Sequence, residues 1–500
     1  MLHLSNYRKA IMPAALVFLL SLSGADAQDL IWRYHYGGSD GDWSESIVET
    51  PDSGFIVVGT TESFGMGGAD LWLFKIDRNG TLIWDKAYGG AEWDYGYSIK
   101  RVETGGYIVA GNTRSFDRGV IDEIDYWLLR IDENGDTLWT RTFGDSADYE
   151  IANCVDVCAD GGFLITGRYS PGDWAQFWIN VFVVRTDADG NLIWSRYYGS
   201  RENGKFNMGF SGLETIDSEY MIAGTFSDFS GEYTSDILVL RLDQNGDSLW
   251  AFNYIDPQDM EQANSIIELP NMDYVIAGVS DRGRNEDGVL MQIRYDGQVN
   301  WVTYFDRSHN DEFHNVNVTS DNGLITTGST TENDMGNFLV AKFSSSGELI
   351  WHQYCTLQNY IDEGNDIIES ADGHYIAAGN TRLFGETNLE ICVVDIGNIV
   401  SVEQTDTPDS QVKIKAYPNP FNQSIRITFH LGHRSLVNLT VFNILGQEVF
   451  APVRGVMESG EHSLIWNGNS CDGKPATSGI YYCRIMTDSV NLMVPIVLLR

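Results

Sequence analysis

Residues 84–116, WDKAYGGAEWDYGYSIKRVETGGYIVAGNTRSF, followed by DYWLLRIDENGDTLW at 125–139, hold the unit on which most of the chain is built. The segment after Trp84 alternates and ends at Gly89-Gly90. A short strand centred on Ile99 follows, then GYIVAG from Gly106, an apolar run closed by glycine, then a fourth strand opened by Asp125. Runs that are apolar at consecutive positions are buried on both faces. Asn134-Gly135 supplies the positive φ of a tight hairpin, so the fourth strand and the next Trp strand are adjacent and antiparallel.

The unit recurs. Tryptophan returns at Trp32, Trp84, Trp139, Trp194, Trp250, Trp301 and Trp351, at intervals of 52, 55, 55, 56, 51 and 50 residues. Seven four-stranded units covered on both faces predict a seven-bladed β-propeller over 28–400, an all-β fold. A linear solenoid is disfavoured by the hairpins. Leu30 to Gly38 is a Trp strand ahead of the first full unit, and the seventh unit ends at Ile396 without one. The N-terminal segment is therefore expected to complete the last blade and leave no unpaired closing edge.

Across its 500 residues the chain has 70 acidic and 32 basic side chains, a formal charge of −38, which argues against a nucleic-acid partner. Arg8, Lys9, the apolar run Ala10 to Leu22 and Ala25-Asp26-Ala27 have the form of a secretory signal peptide over 1–27, leaving no transmembrane segment in the mature chain. Six cysteines are too few for a disulfide-built scaffold. Cys154 and Cys158 lie too far apart along one strand to bridge, and Cys471 with Cys483 is the best candidate pair.

The Trp repeat stops before a polar linker at 401–411. Residues 412–500 show short alternating strands that predict a small β-sandwich. Tyr417-Pro418-Asn419-Pro420-Phe421-Asn422, VFNILGQEV with Gly446, SGIYYCRI with Gly479 and Tyr481, and the terminal VPIVLLR together resemble the type A C-terminal sorting domain of type IX secretion. The resemblance implies an immunoglobulin-like fold recognised by an outer-membrane translocon after Sec export, hence a secreted or surface-displayed protein. One departure is that Asn491 to Val494 is uncharged where such domains carry a lysine-containing strand.

Six units place an acid ahead of the second strand's centre: Asp42, Asp94, Glu150, Glu261, Asp311 and Asp362, with Met208 read at that place in the fourth. Such a ring suits a cation or polycationic partner. A side chain repeated in nearly every blade is, however, read first as structural. The turn Asp187, Asp189, Asn191 has oxygen ligands at alternate positions and is the weak candidate for calcium, although the same residues serve a hairpin. No cofactor is required by the sequence, no catalytic residue can be singled out, and no arginine cluster suited to a carboxylated sugar stands out. The connections from third to fourth strand are longest in units two to four, and the third carries Trp174, Phe177 and Trp178, candidates for stacking on a ligand. The reading is a non-catalytic, exported binding propeller for an unknown extracellular glycan or protein. The alternatives are an extracellular polysaccharide hydrolase or lyase, and a structural surface protein.

Overall fold

The computed structural model describes residues 30–499 apart from 117–123, 145–147, 173–175, 230–233, 255–259, 282–284, 307–309, 333–334, 357–359, 384–387, 398–412, 418–420, 432–433, 444–447, 471–473 and 487–490. The expected signal peptide and linker lie outside the described residues. These form two compact units, divided between Gly397 and Asn398. No helix among them is long and apolar enough to cross a membrane.

In the first unit the described residues form seven antiparallel sheets of four strands. Strand β1 (Trp32–Tyr36) is followed by the first blade, β2 (Asp42–Glu49), β3 (Phe55–Thr61), β4 (Asp70–Ile76) and β5 (Leu82–Tyr88), hydrogen-bonded in that order. The second blade, β6 (Asp94–Arg101), β7 (Tyr107–Thr113), β8 (Asp125–Ile131) and β9 (Thr137–Phe143), repeats it. The second sequence signal of each unit is thus innermost and the Trp strand outermost. Every residue of β3, β4, β7 and β8 is buried, as their unbroken apolar runs require, whereas β5 and β9 are half exposed. Each innermost strand touches the next, and the one at Tyr360–Glu369 touches β2, so the ring closes.

Closure is made by β1, which pairs antiparallel with Glu390–Gly397, Trp32 opposite Asp395 and Tyr36 opposite Ile391. The N-terminal strand is the outermost strand of the seventh blade. Arg33 reaches inward from it to Asp362 of the innermost strand, 3.0 Å between Nη2 and Oδ1, with both side chains almost fully buried. Removing one partner of such a pair strands the other charge at a cost of about 3–5 kcal/mol.

The packing explains why tryptophan marks the repeat. Trp84 lies over the hairpin of the next blade, where Gly135 has φ +76° and a Cβ would sit 2.9 Å from the indole. Tyr36 donates to the Gly80 carbonyl at 2.6 Å and Tyr254 to the Gly297 carbonyl at 2.6 Å, clasping adjacent blades. The residue before each Trp faces outward instead: Ile31, Ile83, Leu138, Ile193, Leu249 and Ile350 are all exposed.

In the second unit, Lys413–Tyr417, Ile425–Leu431 and Gly460–Trp466 form one sheet, and Glu448–Met457, Ser435–Asn443, Gly479–Met486 and Asn491–Leu498 the other. Their shared core holds Trp466, Phe429, Val441, Tyr481 and Ile496. The expected pairing of Cys483 is corrected here. Its side chain is fully buried as a free thiol in this core, and Cys471 lies outside the described residues. Cys154 and Cys158 are free, as their spacing requires.

Candidate functional site

The innermost strands begin, and the second and third strands of each blade connect, on one rim of the ring. The repeated acids stand at that rim and are buried: Asp42, Asp94, Glu150, Glu261, Asp311 and Asp362. Asp42 Oδ2 accepts from the Gly38 amide at 2.7 Å and the Ser63 hydroxyl at 2.8 Å; Asp94 Oδ2 accepts from Gly90 at 2.8 Å and Ser115 at 2.6 Å. These carboxylates cap the crossings between blades. The register corrects the fourth position: the residue two before the bulge-flanking Gly209 is Asn207, buried, not Met208. A second set of buried acids, Asp70, Asp125, Asp236 and Asp287, lies within the first three residues of the third strands. Gly89 fits between Asp70 and Asp94, and burial, then Asp94, pushes Asp70 up to about 6.

Each innermost strand carries one extra residue, a bulge, unpaired in the ladder: Glu45, Tyr97, Asn153, Phe210, Asn264, His314 and Asn365. Four of them reach a backbone carbonyl of the next blade. Asn153 donates to Gly209 at 2.7 Å, Asn264 to Phe313 at 2.9 Å, Asn365 to Ser44 at 2.5 Å, and His314 Nδ1 lies 2.9 Å from the Gly364 oxygen. His314 Nε2 meets Glu312 at 3.1 Å, so both ring nitrogens face acceptors and both need a proton. Burial pulls its pKa down, but Glu312 and then Glu363 raise it overall. Glu45 departs from the pattern. Burial, and then Glu363, pushes its carboxyl up to about 8.

Among the described residues, the exposed rim aromatics lie on one side. Phe64, Trp93, Phe116, Phe177 and Phe229, exposed between 39 % and 59 %, all belong to the first four blades or the crossings between them. Trp93, Tyr95 and Tyr97 form a ladder along the second blade's innermost strand, with centroids 6.1 Å and 6.4 Å apart. Phe206 joins Phe177 at 4.8 Å to Phe229 at 4.7 Å. Trp178 is buried, 5.5 Å from Tyr169, with Arg201 over its ring at 5.7 Å. Trp174 lies outside the described residues. Trp93, Tyr95 and Tyr97 were missed by sequence reading, although aromatics at alternate positions occur in no other innermost strand.

The Asp187 turn satisfies itself. Oδ1 accepts from the amides of Asp189 at 3.0 Å and Asn191 at 2.8 Å, and Oδ2 from the Asn191 side chain at 2.9 Å. Those bonds, the Asn191 side chain first, hold its pKa below the usual carboxylate range. The same amide pair recurs on Asp77, Asp132 and Asp243. Among the described residues no group of three or more His, Cys, Asp or Glu could hold a metal.

In the C-terminal unit, Phe421 is buried 5.4 Å from Trp466 and exchanges backbone hydrogen bonds with Val497 and Leu499. Tyr481 packs on Trp466 at 5.2 Å and donates to the Thr477 carbonyl at 2.7 Å. Asn422 is exposed, Gly479 pairs with Leu498, and Tyr417 ends a strand. Pro418, Asn419, Pro420 and Gly446 lie outside the described residues. The motif is thus partly core packing.

No curated protein matches the sequence. Among solved structures the chain is similar to Sqt1 of Chaetomium thermophilum, at 10 % identity over 74 % of this chain and 98 % of that one, TM-score 0.42. It is also similar to PorZ of Porphyromonas gingivalis, a bacterial surface component of the type IX secretion system, at 11 % identity over 94 % and 85 %, TM-score 0.27. A third likeness is to a PL25 ulvan lyase, at 8 % identity over 73 % and 96 %, TM-score 0.48. Residues 415–498 match the family model described as secretion system C-terminal sorting domain. The C-terminal unit is therefore a type IX C-terminal sorting domain, and the chain that carries it is directed to the cell surface or the extracellular space.

Proposed function

We propose that this is an exported, non-catalytic binding propeller whose ligand, a carbohydrate, lies across the aromatic half of the rim. The observation that carries the reading is that, among the described residues, the exposed rim aromatics Phe64, Trp93, Phe116, Phe177 and Phe229 lie on the first four blades or the crossings between them. Capping acids and bulges recur around the ring because each blade needs them, whereas a binding site has to break the repeat. Flat rings presented beside polar groups suit the apolar faces of sugars. The sorting domain supports delivery through an outer-membrane translocon to where such glycans are met. The test is an array of bacterial and plant glycans probed with the full-length protein. Retention by the parent chain, lost in Trp93→Ala and kept in the outer-wall variant Ile83→Ala, is expected; a protein ligand captured with no glycan retained contradicts it.

A second reading, cleavage of extracellular polysaccharide, is favoured by one arrangement. Burial, and then Glu363, pushes the Glu45 carboxyl up to about 8, which makes it a proton donor near neutral pH, as general-acid catalysis requires. Turnover of polysaccharide, abolished by Glu45→Gln, distinguishes it from binding alone.

A further inference from the structure

Three arginines on the aromatic half of the rim have no carboxylate partner among the described residues: Arg201, which lies over the Trp178 ring, Arg114 and Arg168. This is conspicuous in a chain with 70 acidic and 32 basic side chains. Arg33 pairs with Asp362, Arg78 with Asp395, Arg185 with Asp160 and Arg241 with Asp217, while Arg130, Arg141 and Arg196 bond backbone carbonyls. Arg114 makes no side-chain hydrogen bond within the described residues, and its Nε is buried with no acceptor. Its backbone amide bonds to the Trp93 carbonyl at 3.0 Å, which places it across the strand from that ring. Arg168 has only the thioether sulfur of Met208, at 3.5 Å, a weak acceptor.

Arg114 and Arg168 bear on the same ladder. The Arg114 guanidinium acts on the Tyr95 hydroxyl, as does Glu62, and the Arg168 guanidinium acts on Tyr97. Arg114 follows Thr113, a place held by Glu62 in the first blade and by Arg382 in the seventh. Arg168 departs from its counterparts. The residues matching Arg168 in the second and seventh blades are Asn112 and Asn380, whose oxygens accept the amides of Ala152 at 2.7 Å and Ser44 at 2.8 Å from the next blade. A donor-only guanidinium cannot accept that bond, so Arg168 gives up a blade-to-blade tie. A buried guanidinium nitrogen without an acceptor is costly unless something arrives to meet it.

Resting on the carbohydrate reading, we infer that the ligand is an anionic sugar. Its carboxylate or sulfate is held by Arg114 and Arg168, and its ring stacks along Trp93 and Tyr95. The planar, forked guanidinium matches either oxyanion, and neighbouring aromatic faces leave it weakly hydrated and ready to pair.

The test is isothermal titration of the full-length protein with oligogalacturonate, a sulfated galactan oligosaccharide and a neutral cello-oligosaccharide. Binding of an anionic probe is expected, weakening as salt rises. Affinity should fall roughly tenfold or more in Arg114→Gln and in Arg168→Gln, with less loss in Arg114→Lys and no fall in thermal midpoint. Which anionic arm binds tells carboxylate from sulfate. Neutral probe bound as tightly as the anionic ones, with both Gln variants unaffected, overturns the charge inference and leaves the carbohydrate reading standing. No binding of any probe, while the array still retains the protein, also overturns the charge inference alone. An array that retains nothing overturns both.

Discussion

Glu45 occupies the bulge position at which Asn153, Asn264 and Asn365 donate to the next blade, and only a protonated carboxyl can act as a donor there. Its folded pKa of about 8 lies above its ordinary value, because of burial and then Glu363, with His314 opposing. The folded chain therefore holds a proton that the unfolded chain releases between those values. Stability from this group is fully present below its ordinary pKa and is lost as pH rises through about 8. Asp70, pushed to about 6, acts in the same direction. The thermal midpoint is expected to fall from mildly acidic to mildly alkaline pH, and Glu45→Gln should flatten that slope and raise the midpoint at the alkaline end. A variant with the parent's slope would show that Glu45 is not the group responsible. None of this was legible in the sequence, where Glu45 is one acid among 70. Its isolation follows from a bulge that turns it toward Glu363, far away in the chain. Asn207 was misread for a related reason, since the count along the fourth unit is fixed by the bulge rather than by spacing.

At the scale of the element, the outermost strand does most to explain the repeat. The Trp strand lays its indole over the following hairpin glycine and its tyrosine on that glycine's carbonyl, so tryptophan, tyrosine and Asn-Gly recur together. This coupling made the blades legible: strand order, hairpin pairing and the closing role of residues 30–38 all follow from period and turn chemistry. The rim was legible only in part. Long connections in units two to four singled out Phe177, which is exposed, and Trp178, which is buried. The ladder of Trp93, Tyr95 and Tyr97, at the start of the second blade's innermost strand, was not singled out. For the closing strand, deletion of residues 28–40 removes Arg33 from Asp362 and exposes the edge of Glu390–Gly397. Loss of the cooperative unfolding transition and of protease resistance is expected, and a folded, resistant truncation would show that closure does not depend on β1.

At the scale of the whole molecule, two units divide the work. The C-terminal sandwich carries the export signal, with Phe421 and Tyr481 packed on Trp466, so part of its motif is spent on folding. The propeller repeats its capping acids, hairpins and bulges around the ring and departs from them on one side of one rim. Arg114 and Arg168 lie on that side, beside the ladder of Trp93, Tyr95 and Tyr97. The most direct measurement is hydrogen exchange of the full-length protein with and without the glycan retained on the array. Protection centred on residues 93–97, 114–116 and 176–179 is the predicted result; protection confined to the outer strands, the opposite rim or blades five to seven would contradict it.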